Sequence, residues 1–460
     1  MLQFIKTILP RQKGVYIIGG SIRDLLLGRV PADYDIACTG NPEKFAKKIL
    51  AESVGHLVRL GKSDQMIFRV ISGGTIFDIT SLNGASIEED LKKRDFTVNA
   101  VAYDLYSEKI IDCFGGLKDL ADKKVRMVSK KIFKKDPVRL IRAYRIGACL
   151  NFEIESRTAE LIAYHVKLLR NIAGERIRAE LLSMLDTSAS YPYLIQMANN
   201  GLLEAVFPGF DCLKGCVQNN HHHFDVFEHT LSAFEHLETM MNKPEDILPG
   251  ISTQICRYIA KTRPALIKCA ILIHDIGKPL TKTVDSSGKC RFYGHARKSA
   301  QMARTIGQRL RFSNREQRFI DCIVRHHMKP LSLFKAYEKK TATQKSIVRF
   351  YKKCDDNTPA VLLAAMADTK AKQYKMTSQS KDLISFIEKL IYDYFMSYQA
   401  LRDTSPLITG HDLIHVLGLA PSPIFKKILE FVDDAKLTHT VKNRSEALEL
   451  VRNYLASIHK

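Results

Sequence analysis

Apolar and polar positions alternate along the first quarter of the chain and then change period. Residues 15–18, VYII, form a short apolar run ending at Gly19-Gly20, and SIRDLLLG follows; the pattern predicts a buried strand running into a helix. Asp33-Tyr34-Asp35-Ile36 alternates as a strand with one face on a core does, and alternation returns at residues 66–70 and 75–80. RDFTVNAVAYDL then leads into residues 110–120, which read as a Gly-containing turn region.

From about Pro137 the period is helical. Val138, Ile141, Ala148 and Leu150 recur at helical spacing, and Ile172, Ile177, Leu181 and Leu182 continue it. Pro192, Pro208 and NNHHHFD at residues 219–225 interrupt the pattern. A second helical block follows, and Pro406-Leu-Ile-Thr-Gly410 and Pro421-Ser-Pro423 set off a last one, with helices expected at 424–433 and 444–457. The expected fold class is α+β, a small mixed-sheet head followed by helical domains. At 460 residues the chain is long for one core, and the expected divisions are 1–130, 131–210, 226–372 and 373–460.

The net charge of +21, from 70 Lys and Arg against 49 Asp and Glu, attracts polyanions, although a lysine-rich solvated surface has the same charge. Basic residues recur at 92–94, 130–145 and 339–353, which suits a surface spread over several domains. Apolar stretches such as residues 360–367 are too short for a bilayer, and MLQFIKTILPRQKG lacks an export pattern, so a cytoplasmic protein without membrane partners is expected. The ten cysteines contain no CxxC pair, Cys212 and Cys216 being the closest. They read as free thiols, with Cys38, Cys113, Cys149 and Cys269 in apolar surroundings.

Two carboxylates at i and i+2 on a strand share a face, so Asp33 and Asp35 are expected to be neighbours. Paired anions call for a cation, and Mg²⁺ serves well; Asp78 in IFDIT would bring a third carboxylate from an adjacent strand. The plain alternative is a loop-entry pair neutralised by arginine and backbone donors. Gly19-Gly20 allows close backbone approach, the next helix offers free N–H groups to a phosphate, and Arg23 lies in its first turn. Neither GxGxxG nor a P-loop is present.

These residues carry a resemblance. GGSIRDLLLGRVPADYD from Gly19 to Asp35, KRDFTVNA around Arg94, DCFGGLKDL from Asp112, and KDPVRLIRAYR around Asp136 together resemble the class II tRNA nucleotidyltransferase and bacterial poly(A) polymerase family. The resemblance implies a polymerase-beta-like head with Asp33 and Asp35 as the Mg²⁺-binding catalytic pair. It implies Gly19, Gly20, Arg23, Arg94, Asp95 and Asn99 at the ribose and phosphates of the nucleotide. Asp136 and Arg139 would read the incoming base, with Arg142 and Arg145 nearby. The implied reaction adds CMP and AMP, from CTP and ATP, to the 3′ end of tRNA without a template and with loss of pyrophosphate.

Three departures matter. Lys135 stands where the family has an acid, and Lys93 replaces the first arginine of an RRD pattern. Only SLNGASI separates Thr80 from Glu88, where many CCA-adding relatives have a longer arginine-containing segment linked to terminal A addition. A CC-adding enzyme is therefore an alternative, as is a poly(A) polymerase; a non-catalytic RNA-binding protein is the alternative of another class.

In the middle block, FEHT, HDIGKP, GHARKSA, RHH and AAMADTK supply His229, His274, Asp275, His295, His327 and Asp368. Imidazole and carboxylate ligate divalent ions, and water between two such ions can attack a phosphoester. The set resembles the HD phosphohydrolase domain over residues 226–372 and the HD-bearing branch of the same family. His229, His274, Asp275 and Asp368 are the implied metal ligands, His295 and His327 the additional ones for a second ion. The metal would be Mg²⁺ or a transition metal such as Mn²⁺ or Ni²⁺. The histidine run 221–223 and His411 read as linker or surface residues. A monomer and a homodimer are both compatible with the sequence.

Overall fold

A computed structural model describes residues 9–61, 66–218, 224–372 and 376–458. The histidine run at 221–223 lies outside the described residues. The chain divides into two compact units, Met1–Val206 and Phe207–Lys460.

The first unit is built on a seven-stranded sheet. Its strands are β1 (Val15–Ile18), β2 (Tyr34–Cys38), β3 (Gly55–Leu60), β4 (Ile67–Ser72), β5 (Thr75–Ser81), β6 (Val101–Asp104) and β7 (Ile110–Asp112), in the order β3-β4-β5-β2-β1-β6-β7. β2 and β5 pair in parallel, and their register sets Asp35 opposite Asp78. Ile17, Ile36, Val70 and Ile79 are fully buried in the sheet, and the helix Pro42–Ala51 adds Phe45, Ala46 and Ile49 to the same core. That helix starts where Asn41 accepts hydrogen bonds from the N–H groups of Glu43 and Lys44, with proline in its first turn.

Three sequence expectations are corrected here. Asp33 lies just before β2 rather than on it, because the strand begins at Tyr34. Residues 110–120 hold strand β7 and the helix Gly116–Ala121 instead of a plain turn. The reason is Asp112, whose carboxylate accepts from the N–H groups of Gly116 and Leu117 at 2.8 and 2.9 Å and caps the helix. Pro192 opens the helix Tyr191–Asn199 rather than breaking one, since a first-turn proline loses no helical hydrogen bond. The helices Arg139–Leu150 and Gly174–Leu185 pack together beyond the sheet.

Among the described residues the second unit is helical apart from a two-stranded hairpin, Thr283–Val284 with Cys290–Arg291. Thr358–Lys370 is buried on every face up to Thr369, the condition of a central helix. Val226–Asn242, Pro264–Leu272 and Asn314–His326 pack against it. The tail buries Leu413, Ile428, Ala447 and Val451 between its helices Ile424–Leu437 and Arg444–Ile458 and the segment before them. No helix among the described residues is long and apolar enough to cross a membrane. All ten cysteines are free thiols, but Cys113 and Cys149 are exposed, unlike Cys38 and Cys269.

Candidate functional site

The head site forms where β1 ends and β2 begins. Gly19 has φ +71°, and a Cβ there would meet Arg94 Nη1 at 2.7 Å and Asp35 Oδ2 at 3.2 Å. Only glycine lets this backbone pass so close to both groups. Ser21 joins the two carboxylate residues: its hydroxyl accepts from the Asp35 N–H at 2.7 Å and donates to the Asp33 carbonyl at 3.0 Å. Burial and the neighbouring Asp33 push the Asp35 carboxyl up to about 6, despite Arg94 and Arg23. The local balance is thus an excess of negative charge on oxygen donors, which fits a divalent cation.

Asp78 comes from the adjacent strand, opposite Asp35, as expected. Both of its oxygens accept from Arg69 at 2.7 Å, so its charge is matched within the sheet. It still acts on Asp35 through space, raising it further. Asp33, Asp35 and Asp78 do not form a cluster in which all ligand atoms lie within 4.8 Å.

The sequence-predicted nucleotide residues form a relay. Arg23 donates to Asn99 at 2.7 Å, Asn99 to Asp95 at 3.0 Å, and Arg142 to Asp95 at 3.2 Å. Arg142 also donates to Glu180 at 2.7 Å, and Arg145 pairs with the other Glu180 oxygen at 2.6 Å. Burial opposes the Asp95 charge, but Arg142, Asn99 and the Phe96 N–H outweigh it and hold the carboxyl below its ordinary value. Arg94 is held by Asp90 at 3.0 Å. Arg142, Arg145 and Asp95 are therefore committed to one another and to Glu180. Nothing in the spacing of Glu180 marks it as the hub of two arginines.

Asp136 and Arg139 keep more freedom. Asp136 accepts from Arg176 at 2.8 Å and lies 3.9 Å from Arg139 Nε. Arg139 donates to the Lys93 carbonyl through Nη2, yet its buried Nε and Nη1 have no hydrogen-bond partner. Buried donors without acceptors are costly, and a ligand edge would satisfy them.

The second unit brings together all six HD residues. Asp225 and Glu228 form a capping box that fixes the start of Val226–Asn242 and places His229 in its first turn. Gly277 permits tight packing, since a Cβ there would lie 2.5 Å from the Ser299 backbone nitrogen. The HDIGKP turn is thereby pressed onto the helix His295–Arg309, which carries His295. The ligand atoms of His229, His274, Asp275 and Asp368 all lie within 4.8 Å of one another, as do those of Asp275, His295 and His327. Asp275 belongs to both groups and would bridge two ions.

The histidine orientations match that use. The Nδ1 atoms of His229, His274, His295 and His327 face the carbonyls of Ala371, Ile271, Phe292 and Val324 at 2.7 to 3.3 Å. Each ring then presents Nε2 to the centre, as a carbonyl-anchored metal ligand does. Nε2 of His274, His295 and His327 and the Asp275 oxygens crowd this centre, His274 Nε2 lying 3.1 Å and His295 Nε2 3.4 Å from Asp275. Burial pushes His229 below its ordinary value and His327 down to about 3, whereas Asp275 and Asp368 hold His274 up, to about 10, against its burial. This donor set fits divalent metal ions. Two cations escaped the sequence reading: Lys278, 2.6 Å from Asp275, and Lys372, 3.6 Å from Asp368. Their spacing of three and four residues from those aspartates was the available signal. His411 is exposed, its ring 4.0 Å from that of His415.

Comparison with known proteins places this geometry. The chain matches the Poly A polymerase head domain over residues 15–126, the probable RNA and SrmB-binding site of polymerase A over 151–213, and the HD domain over 226–370. It is 28% identical to the A-adding tRNA nucleotidyltransferase of Deinococcus radiodurans, over 97% of this chain and 96% of that protein. It is 29% identical to the CC-adding tRNA nucleotidyltransferase of Thermus thermophilus, over 95% and 92%. In fold it resembles the Thermotoga maritima CCA-adding enzyme complexed with tRNA-CCA, with a TM-score of 0.65 at 22% identity, covering 96% and 91% of the two chains.

Proposed function

This chain belongs to the class II CCA-adding and poly(A) nucleotidyltransferases with a C-terminal HD domain, and on that premise we propose that it adds C and A residues to the 3′ end of tRNA. The observation that carries the reading is the Asp33–Asp35 pair, held by Ser21 beside Gly19, with Arg94 and Arg23 close by. Bound by Asp33 and Asp35, Mg²⁺ would activate the RNA 3′-hydroxyl and offset charge on the triphosphate.

The protein's own groups do the rest. Arg23 and Arg94 neutralise phosphate charge, and the backbone at Gly19-Gly20 approaches the triphosphate unhindered. Arg139 presents unmatched donors to a base edge, with Asp136 as the neighbouring acceptor. Selection by a protein edge needs no template strand. In this reading residues 1–130 are the catalytic head, 131–210 select the base and bind RNA, 226–372 form the HD domain and 373–460 the tail. The substrates are cytoplasmic, and so is the activity.

A second reading, CC addition without the terminal A, is favoured by one observation. The short segment after β5 is pinned: Lys93 donates to the Asn83 carbonyl at 2.5 Å, Asp90 accepts from the Asn83 N–H at 2.9 Å, and Glu89 from the Ala85 N–H at 2.9 Å. Incorporation of CMP and AMP on tRNA ending before CCA, after C and after CC separates the readings. Two CMPs then one AMP gives the full activity; two CMPs and a stop gives the restricted one; a continuing run of AMP overturns both in favour of poly(A) addition.

A further inference from the structure

We propose that the C-terminal unit carries a second nucleotide-binding site, a cavity of about 870 Å³ that takes a nucleobase together with its phosphate. Its volume lies within the range of small-molecule sites. The walls come from the helix Ser252–Thr262, the start of Asn314–His326, and the segment around Tyr394–Tyr398. None of the six HD residues lines it.

The charge of the walls is unbalanced. Arg257, Lys261 and Arg315 face the cavity and have no ion-pair partner among the described residues. The acidic wall residues are already engaged. Glu316 turns back to accept from the Ser313 N–H at 2.7 Å, closing the helix cap, and Asp356 accepts from Arg402 at 2.8 Å. Arg257, Lys261, Arg315 and Arg318 thus outnumber Glu316 and Asp356 on the walls, an excess of cations that suits a phosphate group.

One wall is aromatic. The Tyr258 and Phe395 rings meet edge to face at 6.3 Å, and Phe395 meets Tyr394 at 5.4 Å. Such a corner is a stacking surface for a base, and beside free cations it is the usual pairing in nucleotide recognition. Two irregular backbone features stand at the same rim. Tyr394–Tyr398 is a π-helical turn, and Asp355, just before Asp356 and Asn357, has φ +49°. Both features concentrate at functional sites.

The same nucleotide chemistry can reach the cavity as a free mononucleotide or as one residue of a bound RNA. An adjoining cavity of about 600 Å³ shares Arg318 and Asn357 with the first and leaves room for a chain to continue. Photolabelling the full-length protein with 8-azido-AMP, and separately with 4-thiouridine-substituted tRNA, distinguishes the sources. The expected product is label on the peptides around Tyr258 or Phe395. Label from 8-azido-AMP, competed by AMP, identifies a free nucleotide; label from the tRNA alone identifies an RNA residue. Label elsewhere only, or displacement by inorganic phosphate as effective as by AMP, overturns the proposal.

The triple change Arg257→Ala, Lys261→Ala and Arg315→Ala should lower this label about tenfold or more at unchanged thermal stability. Phe395→Leu, a milder change, should lower it severalfold. Unchanged labelling in both would also overturn the proposal. Since the readout is the labelled peptide, the test stands whether or not the head adds nucleotides.

Discussion

Arg142 and Asp95 meet at 3.2 Å, and this contact ties a neck helix to the segment that positions Asn99 and, through it, Arg23. The arginine is held from behind by Glu180 at 2.7 Å. Arg23, Asn99, Asp95 and the helix Arg139–Leu150 are thus parts of one hydrogen-bonded frame.

Arg142→Met should strip Asp95 of its largest counter-charge and cost on the order of 2 kcal/mol, less than a fully buried pair because Arg142 is partly exposed. Asp95 is held below its ordinary value, so its contribution is present above the unfolded carboxylate value of about 4 and is lost as pH falls through the folded value. Thermal melts of wild type and Asp95→Asn across acidic pH check this: the variant's acid limb should be flatter.

Gly19→Ala introduces a Cβ at φ +71° against Arg94 and Asp35. The unit should still fold, while nucleotide incorporation falls at least about tenfold, one displaced contact of 1.4 kcal/mol being enough. Steady-state incorporation with CTP and a circular dichroism spectrum together make the check.

Arg139→Ala removes the two unmatched donors proposed to read the incoming base. Discrimination between CTP and UTP should weaken by about 10- to 100-fold, the worth of one or two lost hydrogen bonds. Parallel kcat/KM values for the two nucleotides measure it, and an equal loss for both would assign Arg139 a purely structural role.

His274→Ala should abolish retention of Mn²⁺ or Ni²⁺ by the second unit while leaving CMP incorporation largely intact. Metal content after gel filtration and an incorporation assay on the same preparation provide the two readouts. Collapse of incorporation in the folded variant would show that the two centres had been wrongly separated.

The legible parts were those governed by periodicity or by several motifs in order. VYII became β1, IFDITS lies in β5, and the HD residues converged although Asp368 lies 139 positions from His229. Partnership across the fold was not legible. Nothing near Asp78 announces Arg69, whose position opposite it depends on the register of β4 with β5. Asp112 resembled a turn residue because its capping role depends on Gly116 packing against Thr97, whose carbonyl would lie 2.3 Å from a Cβ there. Cys113 and Cys149 have apolar neighbours in sequence but open surroundings in space.

The most direct test of the central claim is Mg²⁺-dependent incorporation of labelled CMP and AMP into tRNA by wild type and by Asp35→Asn, with tRNA binding followed on the same samples. Wild type should extend the 3′ end, and the variant should bind tRNA normally while extending it at least about a thousandfold more slowly, the loss of a metal ligand in phosphoryl transfer. Failure of the folded wild type to extend any tRNA end, or undiminished extension by the variant, would contradict the account.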